Sequence, residues 1–459
     1  MLAKRVVIVG GGISGLAAAH RLLELGLDKS QITLIEASAR LGGTIATEHR
    51  DGFLLERGPD SFISEKPEAV SLAKRLGLES RLIETNERHR RSFIVRKGRL
   101  RPVPEGFQLL APSRVWPFIT TDIFSLTGKL RMAADLLLPR ENGKDDESLA
   151  SFVRRRLGQE ALERMAQPMV GGIYTADPET LSLRATLPRF LDMESNHRSV
   201  ILAMMRQGRQ RGTSGARYSL FLSFDGGMEV LVKALASTIP NVQLNTRVEE
   251  IKKSNSGWAI TTNKESFEAD AVCLALPAYT AAKLLETVNA RLASQLNAIR
   301  YASTATINFG YPRAAIKHPL DGFGFVVPFI EKRSLLACTF SNVKFPGRAP
   351  DDHVLLRAFA GGALQPEVFA APDLVTRVET DLRELLNIDR PPLFTEVAKW
   401  ERSMPQYELG HLDRVQAIES EIKELPGLAL AGNAYRGAGI PDCIRSGEAA
   451  AEVLFNYAA

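Results

Sequence analysis

Four consecutive apolar residues, Val6-Val-Ile-Val9, open the chain, with Lys4 and Arg5 before them and Gly10-Gly11-Gly12 after. A short apolar run closed by glycine predicts a fully buried parallel strand. Apolar residues then recur at helical spacing from Ile13, and a second apolar run, Ile32-Thr-Leu-Ile35, ends on the acid Glu36. The first forty residues therefore predict a strand, a glycine turn, a helix and a second strand. Helical spacing returns over 69–76, 128–138, 147–157 and on toward Met169, and again from Met228 to Ala236. Strand-like runs fall at 88–101 around Phe93-Ile-Val95, and at 242–251, 258–262 and 271–277. Others follow at 302–310, 322–328, 335–340, 354–359 and 427–431. Residues 206–217 are polar, glycine-rich and aperiodic, which predicts a mobile linker.

The glycine turn has chemistry in it. Gly10, Gly12 and Gly15 keep the GxGxxG spacing between a strand and a helix, and Glu36 follows Gly15 by about 20 positions. In that arrangement the first glycine allows the tight turn and the second admits a pyrophosphate. The third packs the helix on the sheet, while Gly11, Ile13 and Ser14 bring the positive helix N-terminus to the anion. The carboxylate can hold ribose hydroxyls. After it come Ala37, Arg40, Gly42, Gly43 and Thr44. That Glu-Ala-x-x-Arg-x-Gly-Gly continuation resembles the two-domain flavoproteins related to monoamine oxidases, and implies non-covalent FAD.

The strand pattern comes back to the cofactor unit twice, so this unit is expected to be discontinuous. The expected fold is α/β with an α+β second domain. A Rossmann-type FAD domain takes residues 1–87, 213–276 and 396–459. A mixed-sheet substrate domain takes 88–105 and 277–395, and a helical domain takes 106–212. In the last, apolar Phe107–Pro112 and Val115–Ile119 lie near the arginines of 88–101. This predicts either a lipid-facing surface or an ordinary helical cap with a buried face. Gly439-Ile440-Pro441 ends a glycine-rich loop and starts a final helix, whose N-terminus can stabilise a reduced flavin.

Composition narrows the classes. Three scattered cysteines imply no disulfide framework and a reducing, cytoplasmic setting. The seven histidines show no ligand spacing, so no metal is expected. No run reaches about 18 apolar residues, and no signal peptide precedes the first strand. A net charge of +5 suits an anionic substrate or an anionic membrane surface; there is no nucleic-acid motif.

Beyond the flavin motif, several segments are more specific. They include Glu56-Arg57-Gly58-Pro59-Asp60, Asp177-Pro-x-x-Leu-Ser182, Phe345-Pro-Gly-Arg-Ala-Pro350 and Pro405-Gln-Tyr-x-x-Gly-His411. With these the chain resembles, nearly end to end, the oxygen-dependent porphyrinogen oxidases of haem synthesis. The resemblance implies six-electron oxidation of protoporphyrinogen IX to protoporphyrin IX, with O2 as acceptor and hydrogen peroxide as product. Coproporphyrinogen III is the alternative substrate, and a homodimer and a peripheral membrane contact are further expectations. It implies FAD contacts from the glycine turn through Thr44, from Arg57 to Asp60, and from Val248, Trp400, Gly432 and Gly439 to Pro441. It places substrate against Gly172, Val326, Thr339 and Phe359. No catalytic dyad is implied; the Gly172 backbone lies near the reacting carbon. Ser92 stands where plant and animal members have a propionate-binding arginine. Members that oxidise coproporphyrinogen also lack it, and strand alternation would put Arg90 on Ser92's face. An amine oxidase or desaturase, or a non-catalytic binding protein of the same fold, stays as the rival. Cys443 lacks the setting of a flavin-attachment cysteine and reads as structural.

Overall fold

The computed structural model describes residues 5–141, 145–211, 221–255 and 257–458. Val6–Val9 forms the centre of a five-stranded parallel sheet, between Ile32–Ile35 and Ala271–Leu274. Val242–Gln243 and Leu428–Leu430 close its two edges. Both faces are covered, which is why the strand is apolar throughout. Val6 and Ile8 pack with Leu16, Ile444 and Leu454 of the helices Ile13–Glu24 and Ile440–Ala458. Val7 and Val9 point the other way, toward Leu285, Leu296 and Val415. Strands from three distant parts of the chain build this sheet, so the unit is discontinuous.

Two boundaries move. The helices Ala278–Leu285 and Ala290–Asn297, assigned by sequence to the second domain, pack on the Val7–Val9 face of the first sheet. Conversely, residues 396–405 belong to a strand, Phe394–Pro405, that pairs with Tyr301–Pro312 at the edge of the second sheet. Apolar pattern marks each element but not the partner it packs on, so both assignments went by nearness along the chain.

The second sheet has seven strands. Its order is Phe394–Pro405, Tyr301–Pro312, His353–Gly361, Leu335–Phe340, Gly324–Val326, Phe93–Arg96 and Arg99–Pro102. Only Gly324–Val326 and Phe93–Arg96 run parallel. The helix Leu374–Leu386 buries Val378, Leu382 and Leu386 in its core. Residues 88–92 are not part of the expected strand. A turn closed by Arg91 N–H on the His89 carbonyl (2.7 Å) delays it to Phe93.

A helical unit with its own core, including Phe152, Met165, Phe190 and Met204, lies between Val115 and Arg211. An ion pair is sealed inside it: Arg156 Nε donates to Asp135 Oδ1 at 2.6 Å, and both side chains are buried. Ser199 Oγ and the Ile201 N–H satisfy the other Asp135 oxygen at 2.6 and 3.0 Å. The helix Val200–Arg211 runs through 206–211, so this part of the expected linker is helical; 212–217 lie outside the described residues.

Candidate functional site

The glycine turn separates into positions that serve the fold and one that leaves room. Gly10 has φ +107°, and a Cβ there would strike the Ala275 carbonyl oxygen. A Cβ on Gly15 would overlap the Gly10 carbonyl oxygen. Gly12 has an ordinary extended backbone, and nothing lies within 4 Å of where its Cβ would be. It is the N-cap of Ile13–Glu24, and no side chain caps that helix. An uncapped, positively polarised N-terminus facing open space is what a bound phosphate needs. Glu36 is placed at the turn: its two oxygens accept the Gly11 and Ser38 N–H groups, each at 2.7 Å. Ala37 is exposed beside it. Backbone hydrogen bonds from Glu36 and Thr246 tie residues 243–246 alongside 36–38, just ahead of Val248, which is half-buried. The residues fit a dinucleotide cofactor.

Arg40 braces the turn from within. Its guanidinium donates to the carbonyls of Leu41 (3.1 Å), Ile45 (3.0 Å) and Gly43, bracing the loop that carries Gly42, Gly43 and Thr44. Arg57 turns outward, to Glu48 at 3.6 Å and Glu396 at 3.3 Å. Its carbonyl accepts Trp400 Nε1–H at 2.8 Å, so its backbone, not its charge, fixes a site residue.

From this cradle a cavity of about 560 Å³ extends between the units. Ile13, Thr44, Gly58 to Asp60, Trp400, Gly439 and Ile440 form its cofactor-side lining. Ser92, Gly172, Val326, Thr339 and Phe359, all named from sequence, are also in its walls. Gly432 and Pro441 flank it: the Gly432 N–H donates to Ser446 Oγ (3.0 Å), and Pro441 lies in the first turn of the last helix. Arg90 is not in this cavity. Because 88–92 is irregular, alternation does not apply, and Arg90 borders a separate, open cavity beside Arg91 and Arg101.

Among the described residues Asp60 is the one acid in the lining of this cavity, and it is not free to act as a base. Lys344 Nζ sits at 2.9 Å and Arg357 Nη1 at 3.4 Å. Burial alone would raise the Asp60 carboxyl, but these two cations hold it well below the usual carboxylate range. Cys443 is buried, and burial pushes its thiol up to about 12, so it stays protonated.

Lys344 and Arg357 were not expected from sequence, for they reach Asp60 across about three hundred residues of chain. A usable signal was the Phe345–Pro350 motif beside Lys344. Its Arg348 is buried and donates to the Phe224 carbonyl (2.8 Å) and Ser223 Oγ (2.9 Å), clamping the strand Phe221–Phe224. The Pro405–His411 motif also proves to be support. Tyr407 Oη donates to the Asn433 carbonyl (2.5 Å) and accepts the Gly437 N–H (2.8 Å). His411 stacks on Tyr407 at 4.2 Å and meets the Tyr435 carbonyl at 2.8 Å. Together they shape the glycine loop before Gly439.

The family model for flavin containing amine oxidoreductase matches residues 13–454. The chain belongs to this family. It is therefore a flavin-dependent oxidoreductase. Among curated relatives it is 36% identical to coproporphyrinogen III oxidase of Bacillus subtilis (strain 168), over 99% of this chain and 98% of the relative. It is 31% identical to the chloroplastic protoporphyrinogen oxidase of Oryza sativa subsp. japonica, over 98% and 88%. A crystal structure of "Putative protoporphyrinogen oxidase" from Exiguobacterium sp. 255-15 matches with a TM-score of 0.87 at 32% identity, over 98% of each chain. Among the described residues of this flavoenzyme no helix is long and apolar enough to cross a membrane.

Proposed function

We propose that the protein is an FAD-dependent porphyrinogen oxidase that converts coproporphyrinogen III to coproporphyrin III with O2 as acceptor. The observation that carries this reading is one shared cavity with Trp400, Gly439 and Ile440 among its cofactor-side residues and Gly172, Val326, Thr339 and Phe359 among its substrate-side ones. Its lining is mostly apolar, which suits a large, flat, weakly polar macrocycle. The protein's part is positioning rather than acid–base work. The Gly172 backbone leaves room for a bridge carbon, the Val326 side chain borders that space, and the paired Asp60 keeps its charge from competing for protons. FAD held in the cradle would supply the two-electron acceptor for each of three oxidations and would pass electrons to O2.

The sequence put protoporphyrinogen IX first. One observation supports the tetracarboxylate instead: the 36% identity to a coproporphyrinogen III oxidase, against 31% to a protoporphyrinogen oxidase; Ser92, where the resemblance implies a propionate-binding arginine in plant and animal members, is in keeping with it. The reading extends to a peripheral contact with an anionic lipid surface. It is supported by Trp116 (73% exposed) and Leu126 (74%) on neighbouring short helices and Leu137 (82%) in the turn that follows them, with exposed Arg114 and Arg131 close by in the chain.

Aerobic oxidation of the two freshly reduced porphyrinogens, followed by porphyrin fluorescence on yellow, flavin-loaded protein, tests the assignment. Faster turnover of coproporphyrinogen III is expected. A preference for protoporphyrinogen IX reassigns the substrate, and oxidation of neither by flavin-loaded protein refutes the porphyrinogen reading.

A further inference from the structure

A second cavity, of about 630 Å³, adjoins the substrate cavity, and Ser92 is in the lining of both. Arg90, Arg91 and Arg101 line it, with Thr120 and Thr121 from the start of the helical unit. Two of its cations, Arg90 and Arg101, are weakly engaged. Arg90 meets Glu87, itself 81% exposed, at 2.9 Å. Arg101 meets Asp122, 56% exposed, at 3.0 Å. Exposed pairs of this kind contribute little to stability and exchange readily for another carboxylate. Of the other acids, Glu105 is held by Arg114 at 2.6 Å, and Asp321, outside the lining, holds Arg91 through its carboxylate and its carbonyl. In the substrate cavity the contrast is clear: Lys344 and Arg357 are already matched to Asp60. The Ser92 hydroxyl, between the two cavities, is buried with no hydrogen-bond partner among the described residues, as is Arg90 Nε.

We propose that this second cavity is the carboxylate compartment of the substrate site. The macrocycle occupies the apolar cavity, its propionates pass Ser92, and Arg90 and Arg101 bind them. The inference deepens the porphyrinogen reading and rests on it. It accounts for Ser92: a small side chain at the junction lets the tails through. The guanidinium fork suits a carboxylate through two parallel hydrogen bonds. A substrate with four propionates gains more from such a compartment than one with two.

The test uses flavin-loaded enzyme carrying Arg90→Ala and Arg101→Ala together, with Arg99→Ala as a control that removes one exposed charge outside the cavity. The double variant should raise KM for coproporphyrinogen III by about tenfold or more, as expected for lost charge-assisted hydrogen bonds. Its kcat should stay within about twofold, because the reacting carbon is held in the other cavity. Binding of coproporphyrin III, read by fluorescence, should weaken in parallel, while its tetramethyl ester binds the variant and the unmodified enzyme alike. Arg99→Ala should change none of these. Unchanged KM and binding would overturn the compartment, as would equal weakening of acid and ester, which marks a structural defect. If the unmodified enzyme neither binds nor oxidises these tetrapyrroles, the porphyrinogen reading falls first and takes the compartment with it.

Discussion

Gly12→Ala separates the cofactor from the fold. The new methyl group would meet nothing within 4 Å, and the residue's φ of −71° and ψ of 176° suit alanine as well as glycine. The apoprotein should therefore keep its stability or gain up to about 1 kcal/mol, since alanine restricts the unfolded chain. The same methyl group occupies the space in front of the uncapped N-terminus of Ile13–Glu24, so it should block the approach of a pyrophosphate. Losing about 3 kcal/mol of binding corresponds to roughly a hundredfold in affinity, enough to leave the purified protein colourless. Gly15→Ala provides the contrast. Its Cβ would overlap the Gly10 carbonyl oxygen, backbone that cannot step aside, and about 3 kcal/mol or more of stability should go with it. The assay is urea unfolding of apoprotein, paired with flavin absorbance and flavin titration of each variant. Full flavin binding by Gly12→Ala would refute the argument that this open space is the phosphate cradle. Destabilisation by Gly12→Ala equal to that by Gly15→Ala would refute the claim that the space is open.

Four other outcomes are expected. Gly172→Leu should leave folding and flavin content intact, because the only atom near a Cβ there is Val326 Cγ1 at 3.8 Å, yet it should abolish most porphyrinogen turnover; normal turnover would remove Gly172 from the site. Burial pushes the Glu56 carboxyl from 4.5 up to about 7, against hydrogen bonds from Met228 N–H and Thr47. A raised carboxyl gives stability that is complete below about 4.5 and lost as pH rises through about 7. Glu56→Gln should therefore gain about 3 kcal/mol on the parent between those limits, and parallel urea midpoints at the two ends would contradict it. Arg156→Met strands Asp135 inside the helical unit and should cost about 3–5 kcal/mol in urea unfolding, whereas a shift below about 1 kcal/mol would show that the pair is not sealed. Trp116→Ala with Leu137→Ala should reduce co-sedimentation with anionic vesicles and leave turnover in detergent unchanged; equal sedimentation would remove the lipid contact.

Local chemistry was legible from the sequence, and distance across the chain was not. The turn at Gly10 to Gly15, the carboxylate at Glu36 and the final helix start at Gly439 are each written in neighbouring residues, because a βαβ turn fixes its own geometry within a few peptide units. The strands could be found for the same reason: Val6–Val9 is buried on both faces, and the run shows it. The apolar wall residues Val326, Thr339 and Phe359 were reached through the family resemblance, and they do face one cavity. Periodicity could not say that Ala278–Leu285 covers the first sheet, or that Phe394–Pro405 edges the second, since an apolar face has no address. Nor could it pair Asp60 with Lys344 and Arg357, or show Arg40 bracing its own loop and Arg57 turned outward. The turn at His89 to Arg91 moved Arg90 out of the substrate cavity and left Ser92 between two cavities. The sequence by itself determined which chemistry the chain can hold, since a cofactor fingerprint is a short-range pattern of glycines and one acid. Only the tertiary structure decided which charges are spent on one another and which stay available to a ligand, since a charge's availability depends on every segment packed around it.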